Sequence, residues 1–236
     1  FLREIIKDSQ KYVPEFLDDI IEKNLNCINF IKTPNNYLPL FNGATSANLS
    51  QFEKYLENFK TNNKNNILGG LFKIKHKNHF VLIDIDSPPQ KKFSKSYQSG
   101  PLSFEYFLDG IKIITNSGFG NHISKKAELL SRLTACQSTL TINETSITKF
   151  EKNEMINRIF GNSIQNSFKS SEVSQKNEDY CIGCSASNDG YEKKFGCTHK
   201  REIYLDKKEL LRAARIGYIS LIIISNFHKL QYTTFK

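Results

Sequence analysis

The side chains best suited to chemistry fall in the second half of the chain. Cys181-x2-Cys184, followed after twelve residues by Cys197-x-His199, has the residue types of a zinc site. On an extended strand Cys197 and His199 share one face, whereas Cys181 and Cys184 fall on opposite faces unless a bulge or knuckle intervenes. The competing reading is a β-hairpin with small core side chains. His199 runs into Lys200 and Arg201, a basic group suited to an anionic ligand and equally to a sheet surface. Tyr97 offers a phenol for proton transfer or a platform for a ring, and also reads as a strand-edge aromatic. His76 and His79 flank the Lys77-Asn78 turn and read as solvated, while His122 sits in a loop.

Two kinds of element must position these groups. From Leu2 to Ile31 the apolar residues recur at three and four, one face of a helix, with Pro14 suited to the first turn of a second helix. Leu49 to Phe59 reads as another amphipathic helix. After the polar run 61–66 the period changes to two, which sets a domain boundary there. Strands read at 71–76, 80–85, 102–107, 111–115, 138–142, 180–187 and 191–205, with Asn188-Asp189-Gly190 as a hairpin turn and Gln165 to Asn177 as a loop. Strands in series without intervening helices predict an antiparallel sandwich. Residues 1–66 are then helical, 67–209 form the sandwich, and 210–236 are an atypical tail, in which Leu210 to Arg215 reads as helix and Ile216 to Ile224 as an apolar strand.

Composition narrows the partners. The 236 residues carry 33 Lys and Arg against 24 Asp and Glu, a net charge of +9 that favours an anionic partner. The cations are mostly scattered Lys, not an Arg-rich stripe, which argues against nucleic acid. No apolar run reaches the roughly 18 residues of a membrane helix. Five cysteines do not describe a disulfide framework. The sole Met is Met155 and the chain opens inside a helical pattern, so a piece of a longer protein is expected.

Several motifs, in order, carry a resemblance. Gly100-Pro101-Leu102-Ser103-Phe104-Glu105, then Gly110, Ile113, Ile114, Asn116 and Gly118, then Leu133 to Leu140, resemble the β-sandwich of heparinase II/III-like proteins. Ala186 to Tyr191, Phe195-Gly196 and His199-Lys200-Arg201 resemble the same family's downstream hairpin, and Leu38 to Gly43 its loop closing the helical domain. The resemblance implies an α+β chain: the last helices of an (α/α) toroid followed by an antiparallel β-sandwich. It implies a polysaccharide lyase eliminating across a uronate linkage in the cell envelope or periplasm. The alternative is a catalytically degenerate module that binds acidic polysaccharide.

The resemblance also implies a zinc site of two His and one carboxylate in the sandwich. Its three positions here are Gln98, Asn116 and Gln137. Amides are poor zinc ligands beside imidazole, thiolate and carboxylate, so no cofactor is expected. The three are expected to face one another as a hydrogen-bonded polar cluster and, with Arg201, to serve substrate binding. Tyr97, His122 and His199 are the catalytic candidates. The Cys181, Cys184, Cys197 and His199 set remains the alternative metal site.

Overall fold

The computed structural model describes residues 2–53, 65–178, 181–206, 210–213 and 223–224. Helix α1 spans Leu2–Asp8 and α2 spans Glu15–Ile31. Pro14 caps α2 from an extended conformation, one residue earlier than its expected place in the first turn. Leu25 and Phe30 anchor α2, and Lys73 secures its end by donating to the Phe30 carbonyl at 3.1 Å with its ammonium 4.2 Å above the Phe30 ring. Of the helix expected over Leu49 to Phe59, a single 3-10 turn at Ser50–Phe52 is seen, and 54–59 lie outside the described residues.

The first sheet is an antiparallel meander of β1 (Ile67–Leu68), β2 (Leu71–His76), β3 (His79–Asp84), β4 (Phe104–Leu108) and β5 (Ile111–Ile114), in that order. Lys77-Asn78 makes the tight turn the sequence predicts, pairing His76 with His79. His79 is not solvated, however. It is buried, stacks on Tyr106 and shares a 2.9 Å hydrogen bond with the phenol.

Strand β3 is buried along its whole length because the sheet is covered on both faces. Phe80 and Leu82 pack with Phe30, Phe41 and Phe107 on the helical side. Val81 and Ile83 pack with Phe104, Cys184, Ala186, Ile203 and Leu205 on the other. That second face is closed by an antiparallel sheet of β6 (Ser170–Glu178), β7 (Cys181–Asn188), β8 (His199–Asp206), β9 (Leu210–Ala213) and β10 (Ile223–Ile224), ordered β10-β9-β8-β7-β6. The result is α+β, two antiparallel sheets sharing a core with helices over one of them.

Four local expectations are corrected. Ser138 to Ile142 is not a strand: the Ser138 hydroxyl accepts from the Phe104 N–H and donates to the Phe104 carbonyl, and Thr139 donates to Pro101, so side chains replace a ladder. Gln165 to Asn177 is not all loop, because Ser170–Glu178 forms edge strand β6, polar since its side chains face water. Asn188 to Gly190 does not make a tight hairpin. The connection from β7 to β8 contains a short helix at Glu192–Phe195, so 191–205 is not one strand. Leu210–Ala213 is strand, not helix: pairing to β8 overrides helix propensity. Of the apolar run 216–224, only 223–224 are described.

Candidate functional site

The 94–103 segment enters β4 and carries Tyr97 and Gln98. It is held by Arg132, which is fully buried and which sequence reading missed. Arg132 follows α3 (Lys125–Ser131), donates to the Ser94 and Tyr97 carbonyls at 2.8 Å each, and lies 4.1 Å from the Phe150 ring centroid. Burial lowers its pKa to about 10. Nothing in the local sequence Leu130-Ser131-Arg132-Leu133 separates a buried arginine from an exposed one.

Gln98, Asn116 and Gln137 are all buried. Gln98 and Gln137 meet at one atom, donating to the Ser131 carbonyl at 2.9 and 2.8 Å. Gln98 also donates to the Gly118 carbonyl and accepts from the Gly43 N–H at 3.0 Å. Asn116 accepts from the Ser138 backbone N–H and hydroxyl, one residue beyond Gln137. The three amides therefore bond to backbone and to a serine, where direct exchange among themselves was expected. Gly43 is the close approach that makes this possible: its φ is 94°, and a Cβ there would lie 2.6 Å from Ser96 Cβ. Beside Asn116, Glu105 is fully buried in the apolar run of β4 and accepts from Thr115 and the Asn116 N–H.

This donor set does not fit zinc. It offers neither imidazole nor thiolate, and both glutamine NH2 groups face a carbonyl, so the contacts are those of amide donors. The alternative set is not assembled either. Cys184 lies in the core, where burial pushes its thiol up to about 12, while Cys197 is exposed. Among the described residues no three His, Cys, Asp or Glu converge in a metal-holding group.

His199 is buried against Asn188, whose NH2 lies 3.0 Å from Nδ1 while its Oδ1 accepts from the Gly190 N–H. Nδ1 is therefore the acceptor and the proton sits on Nε2. Burial, then Arg201, lowers the His199 pKa to about 3, so the ring is neutral. Arg201 reaches inward and donates to the Leu102 and Ser138 carbonyls at 2.6 Å each, stitching β8 to the loops that flank β4. The Tyr97 ring packs with Ile147, Ile164, Phe168 and Tyr191, and burial raises its phenol well above its ordinary value. His122 is exposed at the end of the 3-10 turn Gly120–His122.

One cleft opens beside these elements, a cavity of about 250 Å³ walled by Asn42, Asp84, Asp86, Phe93, Ser96 and Tyr97 among others. Asp84 ends β3, is buried, and accepts from the Asn42 side chain at 3.1 Å and from the Asp86 N–H at 3.2 Å. Burial, reinforced by Asp86, raises its pKa to about 7 against the lowering effect of those two hydrogen bonds. Asn42 and Gly43, from the loop after the helices, thus reach the cleft wall and the amide cluster respectively.

The family model for "Heparinase II/III-like, C-terminal" matches residues 66–212, the first sheet, the second sheet from β6 into β9, and the loops carrying the amides. The chain belongs to the heparinase II/III-like family. Solved structures similar to it include heparan sulfate lyase HepC from Pedobacter heparinus, 15% identical with a TM-score of 0.58, covering 85% of this chain and 32% of that one. A heparinase III structure is 15% identical, TM-score 0.58, covering 87% and 35%, and another is 14% identical, TM-score 0.62, covering 85% and 32%. These likenesses show the shared fold. This heparinase II/III-like chain spans about a third of the length of those relatives. No curated protein matches it. Its kinship is with polysaccharide lyases, and no helix among its described residues is long and apolar enough to cross a membrane.

Proposed function

We propose that this chain is the C-terminal part of a polysaccharide lyase that cleaves a uronic-acid-containing polysaccharide by β-elimination in the cell envelope or periplasm. Residues 1–66 would be the last helices of an (α/α) toroid and 67–209 its sandwich. The family match over 66–212 carries the reading. Elimination removes the proton alpha to the uronate carboxylate, so it needs neutralisation of that charge, a base, and an acid for the leaving oxygen. Asn42, Ser96 and Tyr97 bring polar groups from both the helical loop and the sandwich to one cleft wall, the place where a glycan would lie. Gln98 and Arg201 serve it from beneath by holding Gly43 and Leu102, and Asn116 and Gln137 complete that support. His122, exposed, is the first catalytic candidate to mutate, before Tyr97 and His199.

The test follows absorbance of the newly formed double bond on uronate polysaccharides, with this chain and the full-length gene product side by side. Product from the full-length protein only supports the reading, because elimination needs all three groups in one cleft and misplacement by about an ångström costs on the order of a hundredfold in rate. Product from this chain alone would place a complete catalytic set within it. Product from neither favours the second reading, a non-catalytic module for acidic polysaccharide. That reading is supported by the burial of Tyr97 and His199, and the +9 charge would give it salt-sensitive retention on an acidic glycan column.

A further inference from the structure

Arg132 is a fully buried cation, and the Nε and Nη2 edge of its guanidinium is spent on the Tyr97 and Ser94 carbonyls. No carboxylate among the described residues stands within ion-pair distance of it, and Glu128 of α3 acts on it through space alone. The Phe150 ring covers one face of the guanidinium, yet a ring face offers no lone pair to an N–H in the guanidinium plane. Nη1, which the fork leaves over, is buried and finds no acceptor among the described residues. Charges taken into an interior are paired as a rule, because an unpaired one is costly.

Two further buried groups go unmatched in the same part of the molecule, the hydroxyls of Thr148 and Ser163, residues 2% and 0% exposed. Both are tied to the segment that Arg132 holds. The Thr148 N–H donates to Ser99 Oγ, and the Ser99 N–H donates to the Arg132 carbonyl. Ser163 precedes Ile164, whose N–H donates to Ser94 Oγ, while Arg132 donates to the Ser94 carbonyl. Phe150, against the guanidinium, pairs with Ile164 across an isolated bridge. The hydroxyls around them are matched: Ser94 donates to the Lys91 carbonyl, and Ser99, Thr134 and Ser146 form a chain at 2.9 and 3.1 Å. What remains is one guanidinium nitrogen and two hydroxyls that can all donate, with one positive charge among them. A cation is repelled by that set. A water accepts from two of the donors and leaves the charge, whereas a small monovalent anion accepts from all three and cancels it.

We propose that Arg132 Nη1, Thr148 Oγ1 and Ser163 Oγ hold a buried halide-sized anion, chloride in ordinary solution, which completes the brace on the Ser94 to Tyr97 segment. The site goes beyond the lyase reading and does not depend on it. Because that segment ties α3 and the 147–164 loops to the entry of β4, anion binding reads out as stability of the whole chain.

The test is thermal denaturation of this chain in sodium chloride, sodium bromide and sodium gluconate at equal ionic strength, together with a crystal grown in bromide. Gluconate is too bulky for an interior site and sets the baseline. Chloride and bromide are expected to raise the melting temperature by about 4 °C over gluconate at about tenfold above their dissociation constants. The anomalous signal of bromide is expected within about 3.5 Å of Arg132 Nη1. Ser163→Ala and Thr148→Val each remove one donor, leave the Arg132 fork in place, and are expected to raise the chloride midpoint about tenfold. Arg132→Met is expected to erase the chloride response, and should it not fold, the two hydroxyl variants and the bromide position decide. Equal melting temperatures in the three salts, a water where bromide is expected, or an unchanged chloride midpoint in both hydroxyl variants would each overturn the proposal. None of these measurements involves elimination, so its failure leaves the lyase reading where it stood.

Discussion

The amide cluster and the Asp84 cleft lie on either side of the Ser96 to Gln98 segment and differ in one respect. Around Gln98 the backbone groups and side chains complete one another: one amide meets Gly43, Gly118 and Ser131, and a second amide shares the Ser131 carbonyl. Around Asp84 there is open volume and a carboxylate lacking a cationic partner among the described residues. Polar groups that satisfy each other make a clasp, and polar groups facing a cavity make a receptor. Two buried polar regions of similar appearance in the sequence thus differ in whether open volume remains beside them.

Breaking the clasp has the largest expected effect. Gln98→Ala strands the buried Gly118 carbonyl and the half-buried Gly43 N–H and is expected to lower stability by on the order of 2 kcal/mol, read by urea denaturation. Loss of under about 0.5 kcal/mol would show that the clasp does not hold the helical loop to the sheet.

The comparison sharpens with pH. The folded Asp84 value, about 7, lies above its unfolded one, so the stability it contributes is complete below about pH 4 and is lost as pH rises through about 7. His199 runs the other way: its folded value, about 3, lies below its unfolded one, so its contribution is complete above about pH 6.5 and is lost as pH falls toward 3. Denaturation curves across this window are expected to lose the decline between about pH 4 and pH 7 in Asp84→Asn and part of the decline from about pH 6.5 toward pH 3 in His199→Gln. Unchanged curves in both would remove the burial argument for both groups.

Metal removal is expected to do nothing. A chelator should leave the melting temperature where it was, and metal analysis should find no stoichiometric zinc, since amides replace the ligands. Zinc that disappears in Gln98→Ala would refute this, and zinc that disappears in Cys197→Ser would promote the cysteine set. Smallest of all, His122→Ala is expected to change stability by less than about 0.5 kcal/mol, because its side chain is exposed. That makes it the cleanest variant for an activity test.

The sequence by itself determined the family, the change from helical to alternating period near residue 66, the Lys77-Asn78 turn and the three amide positions. Those signals are local: a period, a turn residue or a motif is complete within a few neighbours. Where the partner is distant in sequence, local pattern misled. Ser170–Glu178 is polar and reads as loop until β7 supplies its ladder, Leu210–Ala213 reads as helix until β8 does, and Ser138 reads as strand until its hydroxyl meets Phe104. The cleft shows the same limit. Asp84 and Asp86 close an apolar strand as ordinary turn residues would, and only the fold brings Asn42 from 42 positions away against Asp84 and buries that carboxylate in a cavity. Burial is a property of the assembled chain, and it is burial that turns Asp84 and His199 in opposite directions.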